Sequence, residues 1–333
     1  MQILIYLLGT ALIGVEAYKG DMPLIKNVWQ GGTHSEGPHW SAAENALYWV
    51  DISAQKVHRL DPTTGDVATR EITYGPVSPV VTVAETPGVL LICVRTELYF
   101  MHWDSTDGDS SLRLLSVLDL GLPNNRCNDG KVDAKGRLWI GTMGKEVKGE
   151  VDLDQGSLYV VTEKNYLNPL VKVRPVSVSN GIAWTRNSKF MFYIDTPSRN
   201  IDVFDFNLDI GGIRNRRTLF NFASNNVTGL PDGMTIDTEG NLWVACFNGG
   251  KVIKIDSRSG KLLEQHKLPV EKVTSVAWGG PEMSTLYVTT SKVDLTTAEL
   301  AKQPEAGSVF AIEGTGAKGL PPNEFRYSNA ETY

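Results

Sequence analysis

The chain has 333 residues, 41% of them hydrophobic and 21% charged, with a formal net charge of −6 and a pI near 5.5. No basic stripe is available to neutralise phosphates, which argues against a nucleic-acid partner. Beyond the first fifteen residues no apolar run reaches the roughly 18 residues a membrane-spanning helix needs, so no membrane contact is expected past a leader.

Residues 2–15 are that apolar stretch, and Val15-Glu16-Ala17 sets small residues where a signal peptidase cuts. Residues 1–17 therefore read as a signal peptide, residues 18–333 as one domain, and the mature protein as secreted. The stretch lacks a leading Lys or Arg, and the alternative is a cytoplasmic chain with a partly buried N-terminal strand.

From residue 36 onward one phrase recurs six times: a polar lead, a turn, then a short apolar strand. Glu36-Gly37-Pro38-His39-Trp40 leads to Leu47-Tyr48-Trp49-Val50-Asp51. Asn124-Asn125-Arg126-Cys127-Asn128-Asp129-Gly130-Lys131-Val132-Asp133 leads to Leu138-Trp139-Ile140-Gly141-Thr142-Met143. Ser179-Asn180-Gly181 and Pro231-Asp232-Gly233-Met234 open two more copies, and Ser78-Pro79 and Thr274-Ser275 open two fainter ones. The starters Glu36, Ser78, Asn128, Asn180, Asp232 and Thr274 are spaced by 42, 50, 52, 52 and 42 residues, the period of propeller blades.

Behind each lead strand comes an alternating strand such as Lys56-Val57-His58-Arg59-Leu60, then a turn and a further strand near residues 112–118, 171–178 and 218–222. The last repeat lacks its outermost strand, and residues 24–29 are spare, so they are expected to complete it. No sustained helical period appears. The expected fold is all-β: a six-bladed β-propeller of four-stranded antiparallel blades, its ring closed by the N-terminal strand.

The first strand of each blade lines the central channel, and its starter sits at one mouth. Glu36, Asn128, Asn180 and Asp232 thus bring two carboxylates and two amides to a common point. A hard, all-oxygen set suits Ca2+, Mg2+ or Mn2+, and Zn2+ also accepts oxygen ligands. Asn-Gly is a common turn dipeptide, but turns alone give no reason to repeat acids and amides at one register position.

Other candidates fit less well. Cys127 lies in the site motif without a placed base and reads as a small filler thiol. Of the three cysteines, Cys93 and Cys246 fall in corresponding strands of opposite repeats and are not expected to pair, and the odd count leaves at least one free. His34 shares a face with Glu36 while His39 points away, which suits supporting or surface roles. Trp40, Trp49, Trp139, Trp184, Trp243 and Trp278 repeat with the blades and read as packing residues. Asn226-Val227-Thr228 is the one glycosylation sequon.

Together with Gln303-Pro304-Glu305-Ala306-Gly307, these linked motifs resemble the regucalcin family, also called senescence-marker protein or gluconolactonase, which includes insect luciferin-regenerating enzymes. The resemblance runs from about residue 28 to 319. It implies Glu36, Asn180 and Asp232 as ligands of one divalent cation. It also implies Arg126, Asn128, Asp129 and Glu146 as substrate-contacting residues. The activity it implies is hydrolysis of a sugar lactone or related polyol ester, with Asp232 as general base. A non-catalytic Ca2+-binding regulator and a specialised luciferin-regenerating-type hydrolase are the alternatives. No obligate protein partner is evident.

Overall fold

The computed structural model describes residues 22–328 and 330; the expected signal peptide lies outside the described residues. Within them, six four-stranded antiparallel sheets form a ring, with one further two-stranded hairpin. The second strands of blades one to three, Ala46–Asp51, Val89–Val94 and Leu138–Met143, are buried along their whole length. A neighbouring blade covers each face of such a strand, so both faces must be apolar and the sequence reads as a continuous hydrophobic run. The outer strand Val67–Glu71 has no such cover and is partly or fully exposed throughout.

Tryptophans fill the gaps between blades, as their repetition suggested. The rings of Trp139 and Trp184 lie 5.9 Å apart and those of Trp243 and Trp278 5.1 Å apart, both edge to face, an arrangement favoured by the ring quadrupoles. The buried indole N–H groups of Trp139 and Trp243 donate to Asp133 and Asp237 at 2.8 and 3.0 Å.

The ring closes as expected. Leu24–Trp29 adds to the last strand, Val309–Glu313, in antiparallel register from Leu24 opposite Glu313 to Trp29 opposite Val309. Three features went unforeseen. Thr297–Lys302 is a short helix with a capping box between Thr296 and Glu299, and six residues are too few to show a helical period. Residues past 313 run over the face opposite the starters, where Phe325 and Tyr327 bury against blades two and three. Cys127 is not a free filler thiol: it is disulfide-bonded to Cys93, in the second strand of blade two, while Cys246 is free and buried.

Candidate active site

The six starters reach the channel by a shared distortion. In every blade the ladder between first and second strand loses register at or beside the starter. The shifts fall between Glu36 and His39, Val77 and Val80, Cys127 and Gly130, Ser179 and Ile182, Pro231 and Met234, and Val273 and Ser275. A bulge unpairs a residue and re-aims its side chain, here into the channel. Asn180-Gly181 and Asp232-Gly233 are therefore strand bulges, not turns. Their glycines answer crowding between blades: a Cβ on Gly181 would stand 2.6 Å from the Cβ of Met234, and one on Gly233 2.7 Å from the Cα of Ser275.

Glu36, Asn180 and Asp232 are 7%, 4% and 7% exposed. With His34, Arg126, Asn128 and Glu146 they line a single pocket of about 240 Å3. The Asn180 amide has its orientation fixed. Its Nδ2 donates to Thr196 Oγ1 at 2.8 Å, and that hydroxyl donates to the Pro231 carbonyl at 2.9 Å. Oδ1 is thereby turned the other way, where it accepts from Asn128 Nδ2 at 3.2 Å. Thr196 belongs to no repeated motif, and nothing in the sequence singled it out.

Asn128 is placed differently from the other three polar starters. Its Oδ1 accepts from Arg126 Nη1 at 2.7 Å, and its Nδ2 also donates to the Ser179 carbonyl at 2.9 Å. With its oxygen taken by Arg126, Asn128 suits a neighbouring role more than direct ligation. Arg126 in turn pairs with Glu146 at 3.2 Å. Glu146 stands on the hairpin formed by Glu146–Val147 and Glu150–Val151, at the pocket edge. Asp129, expected as a substrate contact, has its Oδ1 accepting the Gly130 N–H at 2.7 Å, and its charge acts on both Glu36 and Asp232. Ser78 and Thr274, the two starters without ligating character, lace the blades together. Ser78 donates to the Asn128 carbonyl, and Thr274 donates to the Ser35 carbonyl at 2.7 Å.

The electrostatics are those of an acidic site without a balancing protein cation. Burial, and then the charge of Asp129, push the Glu36 carboxyl up to about 8. Burial, followed by Glu36 and Asp129, raises Asp232 well above the usual carboxylate range. Among the described residues neither acid is in an ion pair, and the nearby Arg126 spends its guanidinium on Asn128 and Glu146. Buried carboxylates are normally paired or bound to a metal. No three acids, histidines or cysteines gather among the described residues to chelate an ion by themselves. The donor set that fits a divalent cation is instead Glu36, Asp232 and the pre-aimed Asn180 Oδ1, with coordination positions left for water or substrate.

Burial keeps both flanking histidines neutral, His34 down to about 4 and His39 to about 3. His34 lines the pocket, as its shared face with Glu36 implied. His39 is buried rather than at the surface; its Nε2 lies 2.9 Å from Thr82 Oγ1. It borders a hollow of about 360 Å3 at the opposite mouth, beside Lys131, Trp40, Trp184 and Trp278, and among the described residues no carboxylate lines that hollow.

Residues 34–292 match the family described as SMP-30/Gluconolactonase/LRE-like region. The chain is 41% identical to regucalcin of Sus scrofa over 288 residues, covering 86% of this chain and 93% of that protein. The solved structure of a luciferin-regenerating enzyme superposes with a TM-score of 0.86 at 33% identity, covering 92% of this chain and all of that one (100%). A calcium-binding protein, regucalcin from Agrobacterium tumefaciens, shares the fold, with a TM-score of 0.81 at 23% identity over 90% of this chain and 97% of that one.

Proposed function

The chain belongs to the SMP-30/gluconolactonase/LRE-like family, and on that premise we propose that it is a divalent-metal-dependent lactone hydrolase. Family membership supports a lactonase or regucalcin-type function. The finer reading is carried by one observation: Glu36, Asn180 and Asp232, from three blades, open on one pocket with Arg126 at its rim.

A divalent cation held by Glu36, Asn180 and Asp232 would supply Lewis-acid polarisation of an ester carbonyl and a water of lowered pKa. The remaining roles belong to the chain. Asp232 would accept the proton of the attacking water. Arg126 offers a planar, permanently charged donor to ring or hydroxyl oxygens of the substrate. Asn128 holds Arg126 in place through its Oδ1, and Glu146 holds the other arm of the guanidinium. His34, neutral at physiological pH, adds a hydrogen-bonding group without adding charge.

We also assign the protein to the secretory route: the Cys93–Cys127 disulfide suits an oxidising compartment, which the apolar leader would reach. A second reading, a calcium-binding regulator without catalysis, draws on the regucalcin relatives. Saturation kinetics with glucono-δ-lactone and Ca2+, Mn2+ or Zn2+ separate the two. The hydrolase reading expects metal-dependent turnover that falls at least about a hundredfold in Asp232→Ala, with the far-ultraviolet circular dichroism retained. Undiminished turnover in that variant removes Asp232 from catalysis, and no turnover with any of the three metals favours the regulator.

A further inference from the structure

The residue two positions before each starter occupies the next step outward on the same strand face, because side chains alternate with a period of two. In the pocket these rim positions are His34 on blade one, Arg126 on blade three, Val178 on blade four and Leu230 on blade five. The rim is therefore divided. At these rim positions blades one and three offer hydrogen bonds and positive charge, and blades four and five offer the hydrocarbon of Val178 and Leu230. Phe247, at the end of the second strand of blade five, extends the apolar side, with the Lys272 ammonium 5.2 Å from its ring centre. Leu153, just past the hairpin that carries Glu146, faces it while 54% exposed.

The polar space adjoining this pocket lies elsewhere. A cleft of about 470 Å3, lined by Arg95, Asn124, Lys145 and Lys148, shares Arg126 and Glu146 with the pocket. While Arg126 and Glu146 are paired, that ion pair stands on the shared border, and a ring seated over Glu36, Asn180 and Asp232 meets the apolar wall. Hydroxyl groups turned toward Val178 and Leu230 would meet hydrocarbon, and the neighbouring Thr196 hydroxyl already donates to the Pro231 carbonyl and accepts from Asn180. Each such hydroxyl is disfavoured by about fivefold or more.

We infer that the preferred substrate is an amphipathic lactone, its ester oxygens on the Arg126 side and an alkyl or aromatic substituent on the Val178, Leu230 and Phe247 side, rather than a fully hydroxylated sugar lactone. This rests on the hydrolase reading above and sharpens its substrate class. The step itself is ordinary ester hydrolysis: water adds to the carbonyl, the ring C–O bond breaks, the ring oxygen leaves as a hydroxyl, and a hydroxy acid forms.

The test is a chain-length series. With wild-type protein and saturating Ca2+ or Mn2+, kcat/KM is measured for δ-lactones bearing methyl, propyl and pentyl substituents and for glucono-δ-lactone. The expected result is a rise of about two- to fourfold per methylene, the range that burial of hydrocarbon gives, with the pentyl lactone above glucono-δ-lactone. Leu153→Asn and Phe247→Asn are expected to flatten that slope and lower the pentyl-to-gluconolactone ratio by about tenfold or more. Turnover of glucono-δ-lactone with a flat or falling alkyl series overturns this inference and leaves the hydrolase standing. Turnover of none of the four overturns both.

Discussion

At the scale of single residues the site is a set of side chains whose alternatives have been removed. Asn180 presents oxygen because Thr196 holds its nitrogen, and Arg126 keeps its plane because Asn128 and Glu146 hold both arms. Among the described residues Glu36 and Asp232 have no ion-pair partner, the Arg126 charge offsetting them only in part, and this has a measurable consequence. In the cation-free protein the Glu36 carboxyl keeps its proton to about 8, against an ordinary value of 4.5. The folded chain thus holds a proton that the unfolded chain has released between those values. The contribution is fully present below 4.5 and is lost as pH rises through about 8, so the cation-free fold weakens with rising pH across that window. A bound cation needs the carboxylates ionised. Calcium binding at pH 6.5 is therefore expected to release more protons than binding at pH 9. Calorimetric titration in buffers of different ionisation enthalpy measures this; equal release at both pH values would contradict it. His39 works in the opposite sense: burial lowers it to about 3, so stability is lost as pH falls below the unfolded value of 6.5.

At the scale of strands, the fold was legible because each second strand must be apolar on both faces and so repeats as a recognisable run. The starters were legible because they recur at one register position. The bulge that aims each starter was not: a bulge is a relation between two strands, and the sequence shows only its trace in Gly37, Gly181 and Gly233. Thr196 was hidden for a similar reason, since its partners Asn180 and Pro231 lie on the first strands of two adjacent blades. The Cys93–Cys127 disulfide joins blade two to the strand carrying Arg126 and Asn128, and the two cysteines meet only once neighbouring blades pack. Closing a loop at a sequence separation of 34 residues is worth about 3–4 kcal/mol by the chain-entropy model. Under denaturing, non-reducing conditions the purified protein is expected to show one reactive thiol, that of Cys246. Reduction should then move the denaturation midpoint to lower urea. Three reactive thiols before reduction would show that the pair is open.

At the scale of the whole molecule, the ring makes one centre from residues separated by nearly two hundred positions. Closure by Leu24–Trp29 fixes the relation of blade six to blade one, and with it the position of Glu36 relative to Asn180 and Asp232. Composition and repeat length were enough to foresee that closure, because a lone four-stranded blade cannot cover its own faces. The tail past residue 313 escaped notice because it follows no repeat, yet it packs on blades two and three and borders the hollow at the opposite mouth. The central claim is that this geometry gathers a single divalent cation, and a crystal structure of the calcium-soaked protein tests it most directly. The account predicts one Ca2+ within about 2.3–2.6 Å of carboxylate oxygens of Glu36 and Asp232 and of Asn180 Oδ1. Calcium bound only elsewhere, or those three side chains unable to reach a common ion, would contradict it.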